Sequence, residues 1–327
     1  MNVTTDRPDR LEALGVGARA EAGTEQGKAT WRTLRRDWPL FLMLLPGFLA
    51  VLIFSYGPMF GIVVAFQDYD PFLGFFRSPW VGLANFERIF NDPFFMTALR
   101  NSFMISFLKL LFGFPSAVIL ALLINELHYR WFKRLIQTSS LLPYFVSWVV
   151  AAAIFAELLA PDGPVNGLLH KLLGIQPLPF LTDPILFLWT MVFQDVWKGA
   201  GFGALLYLAA IAAIDPTLYE AAVVDGANRW QQMRHVTLPG IAQTMVVLFV
   251  LACGGLISAG FEQIFVQYSP SVYSTADILE TLTYRLGLGQ AQFGLAAAVG
   301  LFQAVVGFAL LLASNVLVRK ISSQSLF

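Results

Sequence analysis

Six long apolar runs, separated by polar stretches, set the pattern of the chain. They fall at about Leu40–Phe66, Asn101–Ile124, Leu135–Ala156, Ile185–Ile214, Val236–Phe261 and Gln292–Val318. A hydrocarbon core of about 30 Å needs about 20 apolar residues in a helix, and each run is long enough. Four runs carry no charged residue; the second holds Lys109 and the fourth holds Asp195 and Lys198. The pattern predicts an all-α integral membrane domain of six transmembrane helices over residues 38–327, behind a polar segment, residues 1–37.

That N-terminal segment carries Arg7, Arg10, Arg19, Lys28, Arg32, Arg35 and Arg36. It reads as a disordered basic tail rather than a cleaved signal, because the apolar run after it is far too long for a signal core and no small-residue cleavage site follows. Basic residues also mark the turn after the second run (Arg130, Lys133, Arg134), the loop after the fourth (Arg229, Arg234) and the C-terminal exit (Arg319, Lys320). The opposite side holds Arg77, Arg88, Arg100, Lys171 and Arg285. The excess predicts both termini in the cytoplasm, N-in and C-in. Among the outer loops, the first contains Asp92-Pro93, an expected helix cap and first helical residue leading into the second span. The third, about Glu262–Ala291, is rich in Tyr, Ser and Gln and either docks an outside partner or merely caps the bundle.

Composition agrees: 57% of the 327 residues are apolar and 13% charged, against about a quarter charged in soluble domains. The formal charge of zero gives no sign of a nucleic-acid partner. A lone Cys253 within an apolar run, and three scattered histidines (His128, His170, His235), offer neither a disulfide nor metal-ligand spacing. With no phosphate loop, dinucleotide fingerprint or hydrolase elbow, the chain shows no catalytic residues, no metal site and no bound cofactor of its own.

The longest polar break in the last two-thirds is EAAVVDGANRWQQMRHVTLPG, Glu220–Gly240. Asp215-Pro216 closes the fourth run and opens a new helix, with Asp215 as cap. Gly226 ends that helix and reverses the chain. Asn228 caps a second short helix, and Pro239 marks entry to the fifth span. The loop over 215–239 is then two short helices with a hinge. On physics alone such a pair either lies on the membrane surface or docks in a protein groove.

The spacing Glu220-Ala221-Ala222, three residues, Gly226, nine residues, Val236, one residue, Leu238-Pro239 resembles the EAA loop of binding-protein-dependent ABC importer permeases, with Val236 in place of the usual isoleucine. The stretches WVGLANFERIF, LLYLAAIAAIDPTLYEAAVVDGANRWQQ and AVGLFQAVVGFALLLASNVLVRK look like the sugar branch of that family, nearest its polysaccharide-permease subgroup. The resemblance implies the type I ABC importer permease fold in a bacterial cytoplasmic (inner) membrane, and makes the loop an ATPase-coupling element. Glu220 would be a polar contact to the ATPase, Ala221 and Ala222 small surfaces for close approach, and Gly226 the bend. Asp225, Arg229, Leu238 and Pro239 would belong to the same element. It further implies a second, homologous permease subunit, two ABC ATPase subunits that use ATP and Mg, an extracytoplasmic solute-binding protein and a carbohydrate substrate moved by alternating access.

Asp195 and Lys198, three apart on one helix face, are expected to pair with each other, since each alone costs about 2.5–3.5 kcal/mol at the bilayer centre. With Gln194 and Trp197 they line the translocation path or fix helix packing. Lys109 either snorkels or reaches an acidic partner, and reads as structural. Tyr144, Trp148, Asn101 and Gln303 could line the same path, though each alone reads more readily as packing. The small residues Gly199, Gly201, Gly203 and Gly254–Gly255 predict close helix approach. The rival reading is a self-contained, ion-coupled secondary transporter or channel, which would need buried carboxylates.

Overall fold

The computed structural model describes residues 37–321. The basic tail lies, except for Asp37, outside the described residues, as do the side chains of Arg319 and Lys320. The chain forms two compact units, the first ending at Gly61 and the second beginning at Ile62. Among the described residues an isolated antiparallel bridge, Gln67 to Trp80, is the sole β pairing. Everything else that is regular is helical.

In the first unit, α1 (Trp38–Val51) passes into a π turn at Leu52–Tyr56 and then the start of a 3-10 stretch, Gly57–Phe66, whose residues from Ile62 on belong to the second unit. Pro58 lacks an N–H, so the ladder changes register where the α pattern can no longer be kept. No side chain from Trp38 to Tyr56 is buried. A helix apolar on every side and left exposed suits a hydrocarbon environment.

In the second unit, Asn85 at the start of α2 (Ala84–Phe90) is buried and donates to the carbonyls of Ala65 (3.0 Å) and Gln67 (2.9 Å), which fixes the first outer loop. Asp92 caps α3 (Pro93–Asn125) by accepting from the Phe94 amide at 2.9 Å. The helix that Asp92 caps and the second span are therefore one continuous rod. α3 packs along α7 (Pro184–Ala212), whose cap Asp183 accepts from the Ile185 and Leu186 amides. Their shared surfaces build two of the three apolar cores: Ile105, Phe187, Met191, Ile264 and Ile278 in one, and Ala117, Ala121, Ala204, Tyr207 and Ile241 in the other. The third core gathers Phe95, Leu279, Leu282 and Val299 against α13 (Phe293–Ile321).

Three expectations are corrected. The third span is not one helix: α4 (Arg130–Leu141) runs into a 3-10 turn at Leu142–Phe145, and α5 (Trp148–Leu158) leaves at 104°. Pro143 removes a donor, Val146 is extended, and Ser147 starts a new helix by accepting from the Val150 amide. The fifth span, α10 (Ala242–Gly254), stops seven residues before the expected Phe261. Gly254, Gly255 and Gly260 cluster there, and Gly260 takes a φ of +94°. The third outer loop, in turn, is no surface cap. It contains α11 (Phe261–Phe265) and α12 (Leu279–Tyr284), and buries Gln263, Asp277, Leu279, Thr281 and Leu282. Among the described residues three helices are long and apolar enough to cross a membrane, or up to six if each of three bent pairs counts as one span.

Candidate functional site

The 215–239 loop is built almost wholly from local signals. Asp215 accepts from the Thr217 amide at 2.9 Å and caps α8 (Pro216–Val224), which departs from α7 at 72°. That bond holds the Asp215 carboxyl below the usual carboxylate range. Gly226 sits at φ +77°, and the amide of Ala227 closes back on the Ala222 carbonyl at 2.8 Å. Asn228 and Gln231 form a reciprocal capping box at the start of α9 (Arg229–Gln232). A side-chain bond of 3.0 Å between Tyr219 and Thr237 then ties α8 to the root of the fifth span. The result is a stiff elbow. On its outer surface Leu218, Val223, Val224 and Trp230 are exposed beside Glu220 and Ala221, while Ala222 is half-buried. Arg229 reaches Glu126 (3.8 Å) and His128 (3.3 Å) in the turn after α3. Asp225 is exposed, Leu238 half-buried and Pro239 exposed.

The second feature is a cleft of about 420 Å³ between α3, α7, α10 and the 255–260 turn, lined among others by Lys109, Asp195, Tyr207 and Ser258. Asp195 does not pair with Lys198, as the sequence suggested. It pairs with Lys109 at 3.4 Å, and Lys109 also donates to the Ala259 carbonyl (2.7 Å) and Gln263 Oε1 (2.5 Å). Spacing along one helix put Asp195 and Lys198 on a common face, but each finds a better partner on a different neighbour. Lys198 turns to the broken third span, where it donates to the carbonyls of Pro143 (3.2 Å), Tyr144 (2.9 Å) and Val146.

The other expected path residues do not converge on this cleft. Gln194 is fully buried and exchanges hydrogen bonds with Gln267 at 2.9 Å each way; Gln263 joins them and donates to the Met191 carbonyl. Asn101 is buried and donates to the carbonyls of Ser274 and Asp277, so it anchors the folded outer segment. Trp197 lines a separate apolar groove with Phe155 and Phe193. Tyr144 stacks on Phe202, ring centroids 4.2 Å apart. Gln303 donates to Glu280 and the Ile257 carbonyl. Close approach holds at Gly201, where a β-carbon would run into the Ser140 backbone, and at Gly203 and Gly254, which face Ala117 and Leu311; Gly199 has open space. Sequence reasoning missed Gln263 and Gln267. Their one signal was a spacing of four within FEQIFVQ, which puts both on one helix face.

A helical body with several membrane-length apolar helices, an apolar cleft holding the Lys109–Asp195 ion pair and a capped elbow is that of a membrane transport permease. The chain belongs to the binding-protein-dependent transport system inner membrane components, whose family match spans residues 113–323. It is 42% identical over 303 residues to Protein LplB of Bacillus subtilis, covering 92% of this chain and 95% of that one. It is also 42% identical to the polygalacturonan/rhamnogalacturonan transport system permease protein YteP of the same organism, over 88% of this chain and 90% of the relative. Among solved structures it matches a bacterial ABC transporter involved in the import of the acidic polysaccharide alginate, with a TM-score of 0.82 and 41% identity over 90% of this chain and 99% of that one. The fold is thus the type I ABC importer permease fold, and the chain is a multi-pass inner-membrane component of such an importer.

Proposed function

We propose that this chain carries oligosaccharides of acidic polysaccharides across the membrane as one of two permease subunits, with both termini and the 215–239 loop in the cytoplasm. Similarity to the alginate importer and to the polygalacturonan/rhamnogalacturonan permease supports the substrate class. A second solved structure, in which the matched alginate-transporter chain is 40% identical to this one, is a complex with an alginate pentasaccharide-bound periplasmic protein; a solute-binding protein of that kind is the expected donor here. The loop is the ATPase-coupling element. The observation that carries this role is the stiff elbow with Leu218, Val223, Val224 and Trp230 exposed beside Glu220. An apolar helix face of this kind fits a protein groove, and the caps let it transmit force without melting.

On this reading the chain is not an enzyme and binds no cofactor; ATP and Mg act in the partner subunits. Closing the two ATPases moves the elbow, and the spans rock between inward- and outward-open states. The experiment is Gly226→Val in the reconstituted importer. A β-branched residue is strained at φ +77°. Membrane insertion should be normal, while uptake and the ATPase stimulation by loaded binding protein should both vanish. Retained coupling would remove the elbow from the mechanism. A cysteine at Val224 that reacts only with reagents added from the outer side would overturn the orientation.

A further inference from the structure

The break in the third span is the best-built polar feature that the proposed transport cycle does not use. Three carbonyl oxygens, from Pro143, Tyr144 and Val146, converge on one point. The ring of Trp148 lies 5.3 Å from that point and the ring of Tyr144 lies 5.9 Å away. The C-terminal end of α4 and its 3-10 turn adds the negative pole of a helix dipole. Carbonyls, aromatic faces and a helix C-terminus all attract a cation, and no carboxylate takes part in these contacts. In transporters driven by ion gradients, unwound backbone carbonyls and half-helix C-termini of this kind hold the coupling ion.

We propose that the break is a monovalent-cation site which the chain fills with its own Lys198 ammonium. α7 delivers that ammonium in register. Gly201, one turn on, lets the α7 backbone close onto Ser140, and Phe202 stacks on Tyr144. Lys198, Gly201 and Phe202 thus form a single recognition face for the broken helix. A tethered cation cannot be exchanged for sodium or potassium, so this break bends the span without coupling it to an ion gradient. Removing the side chain opens the site to small cations of similar charge, such as potassium or methylammonium.

The test uses the assembled importer with Lys198→Ala. Its unfolding midpoint should fall below that of the unaltered protein. Potassium or methylammonium at roughly ten times its dissociation constant should raise the variant's midpoint by about 1–2 °C relative to a bulky organic cation. The unaltered protein should show no such rise, and small cations should restore at least half of the variant's lost uptake. A variant equally stable and active without any small cation, or one unresponsive to all of them, overturns the proposal. If Lys198→Ala does not assemble, Lys198→Cys in a Cys253→Ala background takes its place. Attaching an aminoethyl group should restore uptake and a neutral group of similar size should not; equal restoration by both would make the role one of packing and sink the idea.

Discussion

The apolar body is interrupted twice in ways that look alike in outline and differ in support. At Asp215–Pro239 the chain turns through two short helices, and its exposed polar ends are met by neighbours in sequence: Thr217 at Asp215, Ala222 at Ala227, Gln231 at Asn228. At Leu141–Trp148 the freed carbonyls are met by Lys198, which lies 52 to 55 positions further along the chain. The elbow would keep its shape if α7 moved away, whereas the break would lose most of its polar contacts. An element that passes force between subunits suits the first design. A bend in a membrane, where each unsatisfied backbone group costs several kcal/mol, depends on the second.

The contrast can be broken most strongly at Gly201. Gly201→Val drives a β-carbon into the Ser140 carbonyl and pushes α7 off the break. A loss of about 3 kcal/mol is expected, at the upper end for overpacking, read as a lower thermal unfolding midpoint of the detergent-purified importer. An unchanged midpoint would mean that the break needs no close approach. A smaller and local effect is expected at the elbow: Gly226→Ala should cost about 1–2 kcal/mol for a left-handed residue, seen as faster amide exchange confined to 215–239. Gly226→Asn should recover much of it, since Asn tolerates that conformation. Asn228→Ala should cost about 1 kcal/mol through loss of the capping box. Combined with Gly201→Val it should add within about 0.5 kcal/mol; strong non-additivity would show that elbow and break are not independent. The smallest effect concerns pH. Because the Thr217 amide lowers the Asp215 pKa below its unfolded value of about 3.9, the cap is complete above that value and fails only as pH falls through the lowered one. Amide protection of α8 should therefore be flat through the neutral range and drop only in acid.

How much of this was legible in the sequence follows the same division. The elbow was readable nearly residue by residue. The expected caps at Asp215 and Asn228, the left-handed Gly226 and the Pro216 start all appear in place, because each is set by an interaction spanning a few residues. The continuous third span was misread, since Pro143 sits among strong helix formers and β-branched residues, and a single proline does not say whether a helix kinks or breaks. The early end of the fifth span and the folded 261–289 segment were missed for a related reason. Gln263, Thr281 and Asp277 look like surface residues until Gln194, Met191 and Arg285 are seen beside them. The pairing of Asp195 with Lys109 rather than Lys198 lay outside any argument from spacing on one helix.

The sequence by itself determined the membrane setting, the apolar runs, the elbow and its resemblance to a permease coupling loop. Run lengths, caps and a glycine act over distances shorter than a few turns of helix. Only the tertiary structure decided where a span breaks, which lysine meets which oxygen, and which polar residues of an apparent loop are core. Those outcomes come from groups that the chain brings together over tens to nearly two hundred positions. In a low-dielectric interior the partner that satisfies a polar group sets its conformation, and local spacing does not say who that partner will be.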